Sequence, residues 1–208
     1  MKRKFDKTIR DELAQTIRDI ECDCSAELIV AVRARSGSYR HADLTVGAIL
    51  AMATLIFILY APFNFEPHWV PIDSVLAFVL GYFISARSNA LRRLFTSKKT
   101  RRGQVRVHAA AMFYEAGIAN TAAETGVLVY LSLMERRLEL IADRGILKAV
   151  PPVEWNGVLA ELHRVGRGPD PDAFIDALKR LGGVLAQCLP PDAENPNELP
   201  DQPYFDLK

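Results

Sequence analysis

Leu44–Phe63 reads LTVGAILAMATLIFILYAPF, twenty residues without a charge. At about 1.5 Å of rise per residue, a helix of that length reaches the ~30 Å hydrocarbon thickness of a bilayer. Buried core helices are usually shorter and keep a polar edge, so this segment is expected to span a membrane. A cleaved signal peptide is not expected, because 43 mostly polar residues precede it and signals sit at the terminus.

The stretch also explains an otherwise ordinary composition. The chain has 208 residues, half of them hydrophobic and a quarter charged, with a formal net charge of +1. Between Leu44 and Ala86, 43 residues hold two charges, Glu66 and Asp73, while the other 165 residues hold 49. A uniform soluble domain is excluded by that split, and so is a nearly all-membrane protein.

Downstream, the dense apolar part of a second segment, Ser74 to Ala86, has 13 residues and falls short of a full span. Both sides can lengthen it. Trp69, Val70 and Pro71 suit the outer interface, with Asp73 capping the helix near headgroup level. At the other end a snorkelling Arg87 lets Ala90 and Leu91 enter the slab. A re-entrant segment is the competing reading of this short run. The loop Asn64–His68 is very short, so the two helices are expected to form a tight antiparallel hairpin over residues 44–91.

Residues 87–106 contain Arg87, Arg92, Arg93, Lys98, Lys99, Arg101, Arg102 and Arg106 and no acid, whereas the loop between the spans has no Lys or Arg. The positive-inside rule then places both long polar parts, and both termini, in the cytoplasm. The basic run lies beside a span and lacks interleaved aromatics. It is read as contacting anionic lipid headgroups through Arg87, Arg92, Arg93, Lys98, Lys99, Arg101 and Arg102, and not as a nucleic-acid patch.

Upstream, Phe5, Ile9, Leu13, Ile17 and Ile20 form one apolar helical stripe. SAELIVAVRA, Ser25 to Ala34, is a nearly continuous aliphatic run that suits a strand covered on both faces. No partner strand precedes the membrane segments, so the sheet must be completed from beyond them. Val105 to Ala116 reads as a helix closed by Gly117. GVLVYLSL, Gly126 to Leu133, reads as a central strand; Met134 and Glu135 turn the chain, and Arg136 to Asp143 forms a hairpin partner. Two helices follow, over Val153 to Val165 and from Asp170 as N-cap onward.

The expected fold class is α/β, a small sheet covered by helices and interrupted by a two-helix transmembrane hairpin. Residues 1–43 and 104–189 form the cytoplasmic domain, 92–103 a basic juxtamembrane linker. Residues 190–208 form an acidic, proline-rich tail, with five prolines and five acids against one lysine, expected to be extended or disordered.

The segment FYEAGIANTAAETGVLVYLSLMERRLELIADRGI, Phe113 to Ile146, resembles the second half of a TPM domain: a helix, Thr-Gly before an apolar strand, a short turn, and a second strand ending in Asp-Arg-Gly-Ile. SAELIVAVRA is similar to that family's first strand, and NELP, Asn197 to Pro200, is similar to tails of its membrane-anchored members. The matches cover about a quarter of the chain. The family includes thylakoid-lumen phosphatase-like proteins and bacterial membrane-anchored proteins. The resemblance implies a bacterial inner-membrane location and permits divalent-cation binding or phosphate-ester hydrolysis. Here two membrane spans occupy the place of the family's usual soluble connection.

Candidate chemical positions are few. Glu27 begins the first strand and Asp143 ends the third, so both are expected on the sheet's rim. Carboxylates meeting at strand ends suit a hard cation such as Ca²⁺ or Mg²⁺. The favoured alternative makes Asp143–Gly145 a turn, with Gly145 at positive φ and Asp143 capping it. Glu124 is a further candidate ligand, or a solvated acid. Arg136 and Arg137 face a phosphate or, more simply, pair with Glu139 at the surface.

Cys22, Cys24 and Cys188 lack zinc spacing, and the four histidines form no ligand pattern. No GxSxG elbow, Walker loop or dinucleotide fingerprint is present, and the GRG at Gly166–Gly168 reads as a loop. The leading expectation is a binding or maintenance module held at the membrane, partnered by the lipid bilayer and by a membrane protein. The alternative is a divalent-metal-assisted phosphatase.

Overall fold

In the computed structural model the described residues are 5–62, 66–192, 198–200 and 202–207. Phe63–Phe65 of the inter-helix loop and Asn197 of the NELP stretch lie outside them, as do the residues that would show how tight that loop is. Two compact units divide the chain: residues 1–36 with 102–208, and residues 37–101.

The first unit is a helix-rich α/β fold around one mixed four-stranded sheet. Helix α1, Lys7–Asp23, begins where the Asp6 carboxylate accepts the Ile9 amide at 3.1 Å, and its apolar stripe buries Leu13, Ile17 and Ile20. Strand β1, Glu27–Arg33, follows. After the second unit come α5, Lys98–Glu115, which spans the unit boundary, and a single 3-10 turn, Ile118–Asn120. Next are β2, Gly126–Ser132, β3, Arg137–Ala142, and α6, Arg144–Ala149. Helices α7, Pro152–Arg167, and α8, Pro171–Cys188, lead to β4, Tyr204–Asp206. The sheet order is β3-β2-β1-β4. Strands β1 and β2 run parallel, β3 returns antiparallel to β2, and β4 lies parallel to β1.

The unbroken apolar runs of β1 and β2 are explained by coverage on both faces. Alternate residues point opposite ways. Leu28, Val30, Val32, Val127, Val129 and Leu131 meet Leu13 and Ile17 of α1, Leu162 of α7, and Phe174 and Leu178 of α8. Ile29, Ala31, Leu128 and Tyr130 meet Val105, Ala109 and Phe113 of α5 and Ile118 of the 3-10 turn.

Several local expectations change. Helix α5 starts at Lys98 and not Val105, because Lys and Arg are good helix formers and the Ser97 hydroxyl accepts the Thr100 amide at 3.0 Å. Most of the basic linker is therefore helical. The GRG stretch is not a loop: α7 continues to Arg167, and Gly166 lets it close on β3, where a Cβ would stand 2.7 Å from the Leu138 nitrogen. Gly117 ends α5 with φ +72 as expected, but Gly145 has no positive φ. Its small size serves a close approach, since a Cβ there would stand 2.6 Å from the Glu124 carbonyl oxygen. The tail is not wholly irregular either, because Tyr204–Asp206 supplies β4.

The second unit holds α2, Arg40–Tyr60, and α3, Val70–Arg87, both long and apolar enough to cross a membrane. They pack at a pair of glycines: a Cβ at Gly81 would stand 3.0 Å from the Gly47 Cα, and one at Gly47 would stand 2.8 Å from the Phe78 carbonyl oxygen. Small residues let apolar helices approach this closely. Helix α3 starts at Val70 behind Trp69, so Asp73 sits inside the first turn and does not cap it. At the far end Ser88 is extended, and its hydroxyl accepts the Leu91 amide at 3.4 Å to open a short α4, Asn89–Leu94. Ala90 and Leu91 therefore belong to α4 and do not lengthen α3.

Candidate functional site

Three carboxylate-bearing residues meet, through their backbones, at one end of the sheet. Glu27 lies opposite Gly126 in the parallel register and its amide donates to the Thr125 carbonyl at 3.1 Å. The Asp143 amide donates to the Gly126 carbonyl, and the Gly145 amide to the Glu124 carbonyl, both at 2.9 Å. Residues 121–125 make a tight turn in which the Thr121 hydroxyl accepts the Thr125 amide at 3.0 Å. Glu124 takes φ +55 there, a conformation that side chains other than glycine adopt at a cost.

The side chains are directed to different tasks. Glu27 is buried, and its Oε2 accepts the Leu199 amide at 3.2 Å. Asp143 caps α6: Oδ1 accepts the Arg144 amide at 2.7 Å, while Oδ2 is buried without a hydrogen-bond partner among the described residues. The capping role was expected, although it serves a helix and not an isolated turn. Glu124 stands 3.9 Å from the Arg144 Nε, with both side chains well exposed. The tail adds a fourth acid, since Glu198 accepts the Ala122 amide at 3.1 Å and 3.2 Å through its two oxygens. Among the described residues no three His, Cys, Asp or Glu side chains stand close enough to share a metal ion.

At the opposite end of the parallel strands lies a buried polar chain that sequence reading missed. Ser36 Oγ donates to Ser132 Oγ at 2.8 Å, and Ser132 Oγ donates to Glu135 Oε2 at 2.5 Å. With the Ser36 proton committed, the Tyr130 hydroxyl is the donor in its 3.0 Å contact with Ser36. Glu135 Oε1 accepts the Ser36 amide at 2.8 Å. Burial raises the Tyr130 phenol above its ordinary pKa. All four residues are buried. No spacing motif marks such a group, since Ser36 is almost a hundred residues from its partners.

A third cluster joins the ends of α2 and α3. Asp43, 1 % exposed, accepts Arg92 Nε at 3.0 Å and Nη2 at 2.7 Å, and also the Ser85 hydroxyl at 2.8 Å. The hydrogen bond to Asp43 pushes the Arg92 pKa further up. Arg92 thus faces a buried acid. From the basic set, Arg87, Lys98, Lys99 and Arg102 are exposed, and Arg93 and Arg101 are half-buried.

Among the cysteines Cys22 is exposed and Cys24 buried. Burial pushes the Cys24 thiol up to about 11.

No family model matches the chain, and no curated protein matches it. It is similar to a solved structure, the NMR structure of BA42 protein from the psychrophilic bacterium Bizionia argentinensis. The identity is 16%, the match covers 96% of this chain and 93% of that one, and the TM-score is 0.57. At that identity the likeness shows the fold alone.

Proposed function

We propose that this chain is a membrane-anchored α/β module of the TPM type, set at a bacterial inner membrane, that binds or maintains membrane-protein complexes. One observation carries the anchor. Helices α2 and α3 keep large apolar side chains outward, with Phe57 and Phe83 each 61% exposed and Leu59 70% exposed. Water disfavours such a surface by roughly 25 cal/mol per Å² of apolar area, and lipid removes that penalty. The rim supports binding over catalysis, because Glu27 and Asp143 each spend a carboxylate oxygen on a backbone amide.

Two measurements test the reading. The chain should stay with membranes through high-salt and alkaline washes and leave only with detergent; release by salt overturns the anchor. A membrane-impermeant maleimide should label exposed Cys22 only after intact cells are opened. Labelling of intact cells overturns the cytoplasmic orientation.

The buried Oδ2 of Asp143, unpartnered among the described residues, favours a second reading, a Ca²⁺ or Mg²⁺ site at this rim with phosphatase chemistry. Calorimetric titration of the detergent-solubilised chain with each ion separates the two. Binding lost in Asp143→Ala supports the cation site, and absence of binding leaves the binding module.

A further inference from the structure

The end of the sheet opposite the carboxylate rim gathers arginines from several elements. Gly166 closes α7 onto β3, where its Cβ position would stand 2.7 Å from the Leu138 nitrogen and 3.1 Å from the Arg137 carbonyl carbon. Arg167, the last residue of α7, is thereby brought to the start of β3, at Arg137. Arg136 precedes that strand in the turn, at φ +52. The half-buried His163, one turn before Arg167 on α7, feels the group directly. Burial holds its imidazole below the ordinary value, Glu139 opposes that shift, and the charges of Arg102, Arg137 and Arg167 add to it.

The acids nearby in the chain are spent elsewhere. Glu161 pairs with Arg164 and Arg180, and Glu135 is turned inward to Ser36 and Ser132. Among the described residues Arg102, Arg136, Arg137 and Arg167 form no ion pair. Arg102, Arg136 and Arg167 are exposed and Arg137 is half-buried.

The course of the chain gives this cluster its meaning. The first unit breaks off at Ser36 and resumes at Arg102. The Ser36 amide is held by Glu135, the neighbour of Arg136, and Arg102 belongs to the cluster itself. Both crossings into the second unit therefore leave from this end of the sheet, whereas Ile118, beyond the other end of α5, packs on Gly126 at the rim. The attraction of an anionic bilayer for a basic residue is worth roughly fivefold in attachment and fades within about 10 Å. Only a cluster close to the spans can use so short a field, and this one stands where the chain leaves for them. Arg92, by contrast, is withdrawn from headgroup contact by Asp43.

We propose that Arg136, Arg137 and Arg167, with Arg102, form a docking surface for anionic lipid headgroups, which holds the α/β unit down on the bilayer that α2 and α3 enter. The choice of a bilayer as partner rests on the anchor proposed above.

The full chain is reconstituted in nanodiscs of phosphatidylcholine alone and of phosphatidylcholine mixed with phosphatidylglycerol. A nitroxide on Gly168→Cys reports on the cluster, since a side chain there meets nothing within 4 Å. Cys22→Ser and Cys188→Ser remove the other accessible thiols, Cys24 being buried. Collision of the nitroxide with a nickel-chelating lipid headgroup measures its closeness to the surface. It should rise when phosphatidylglycerol is present and fall back as salt is added. Arg136→Gln, Arg137→Gln and Arg167→Gln together should weaken docking on the order of a hundredfold and abolish the rise. The same three positions changed to Lys keep the charge and should retain it. Equal collision in both discs overturns the proposal and leaves a soluble polyanion as the ligand of the cluster. A rise that survives in the glutamine variant, or is lost in the lysine variant, overturns it as well. Flotation with phosphatidylcholine vesicles reads the anchor separately. Should the chain not float with them, the anchor fails, and the docking surface is read from flotation with phosphatidylglycerol vesicles. Flotation lost in the glutamine variant then upholds the surface; flotation absent altogether, or unchanged in that variant, overturns it.

Discussion

Arg92 grips the Asp43 carboxylate with two parallel hydrogen bonds, Nε to Oδ1 at 3.0 Å and Nη2 to Oδ2 at 2.7 Å. The pair ties the start of α2 to α4, and Ser85 joins it from α3. Both charges are withdrawn from solvent, at 12% and 1% side-chain exposure. Removing Arg92 takes the two-pronged guanidinium away from a buried carboxylate that keeps the Ser85 hydroxyl.

Arg92→Ala should therefore destabilise the second unit by about 3–5 kcal/mol, the usual cost of breaking a buried pair. Arg92→Lys should recover only part, because an ammonium cannot form the fork. Thermal melts of the detergent-solubilised chain check both. Equal melting temperatures for Arg92→Ala and the native chain would show that the clasp carries no stability.

Two glycines should respond oppositely to alanine. At Gly145 the new methyl would stand 2.6 Å from the Glu124 carbonyl oxygen and 2.7 Å from that of Ala123. Rigid backbone cannot yield that space cheaply, so Gly145→Ala should cost roughly 1–3 kcal/mol. At Gly157, inside α7, nothing lies within 4 Å of the new carbon. Gly157→Ala should stabilise by about 0.5–1 kcal/mol through helix propensity alone. Urea unfolding of both variants decides; destabilisation at Gly157 would contradict the open space seen there.

The contrast between those glycines shows what a sequence can carry. Strands β1, β2 and β3 were legible because each is a short apolar or mixed run bounded by turn residues. Their bounds agree with expectation within about two residues, the ordinary uncertainty of strand and helix ends. Helix α6 was not legible. Its six residues have no periodicity to detect, and only the Asp143 cap announces it. Strand β4 was hidden for another reason: its partner is β1, some 170 residues away, and a three-residue strand in an acidic, proline-rich tail has no local signal. The rim was legible as a position, since strand direction alone brings Glu27 and Asp143 to one edge. How each carboxylate is used was not, because Leu199 reaches Glu27 from the far end of the chain. The clasp was missed because Asp43 and Arg92 each look like ordinary charges flanking apolar helices.

Burial of Cys24 makes stability depend on alkaline pH. Its thiol lies at about 11, above the ordinary 9.0, so between those values the unfolded chain has lost a proton that the folded chain keeps. Folding is thus favoured fully below pH 9.0 and loses that contribution as pH rises towards 11, by about 2–3 kcal/mol in total. Burial raises Tyr130 as well and adds a slope of the same sign. The Cys24→Ala variant isolates the thiol. Its stability, measured by urea unfolding from pH 8 to 11, should fall less steeply than that of the native chain. Parallel curves would show that the thiol titrates normally.

The buried chain from Tyr130 through Ser36 and Ser132 to Glu135 should act as a unit. Ser132→Ala removes a donor to Glu135 and the acceptor of the Ser36 hydroxyl together. Losing a buried hydrogen bond in this way costs about 1–3 kcal/mol, so a loss of that order is expected. Tyr130→Phe removes only the terminal donor, since Ser36 still donates to Ser132, and should cost about 1 kcal/mol. Once Ser132 is gone, Ser36 is free to turn its proton towards Tyr130, so the second substitution acts on a rearranged partner. The double variant should therefore depart from the sum of the singles by more than about 0.5 kcal/mol, the limit within which independent sites add. Urea unfolding of the four chains in one detergent closes the cycle. Strict additivity would mean that the hydroxyls hold the end of the sheet separately, and that the relay order drawn from their donors carries no energy of its own.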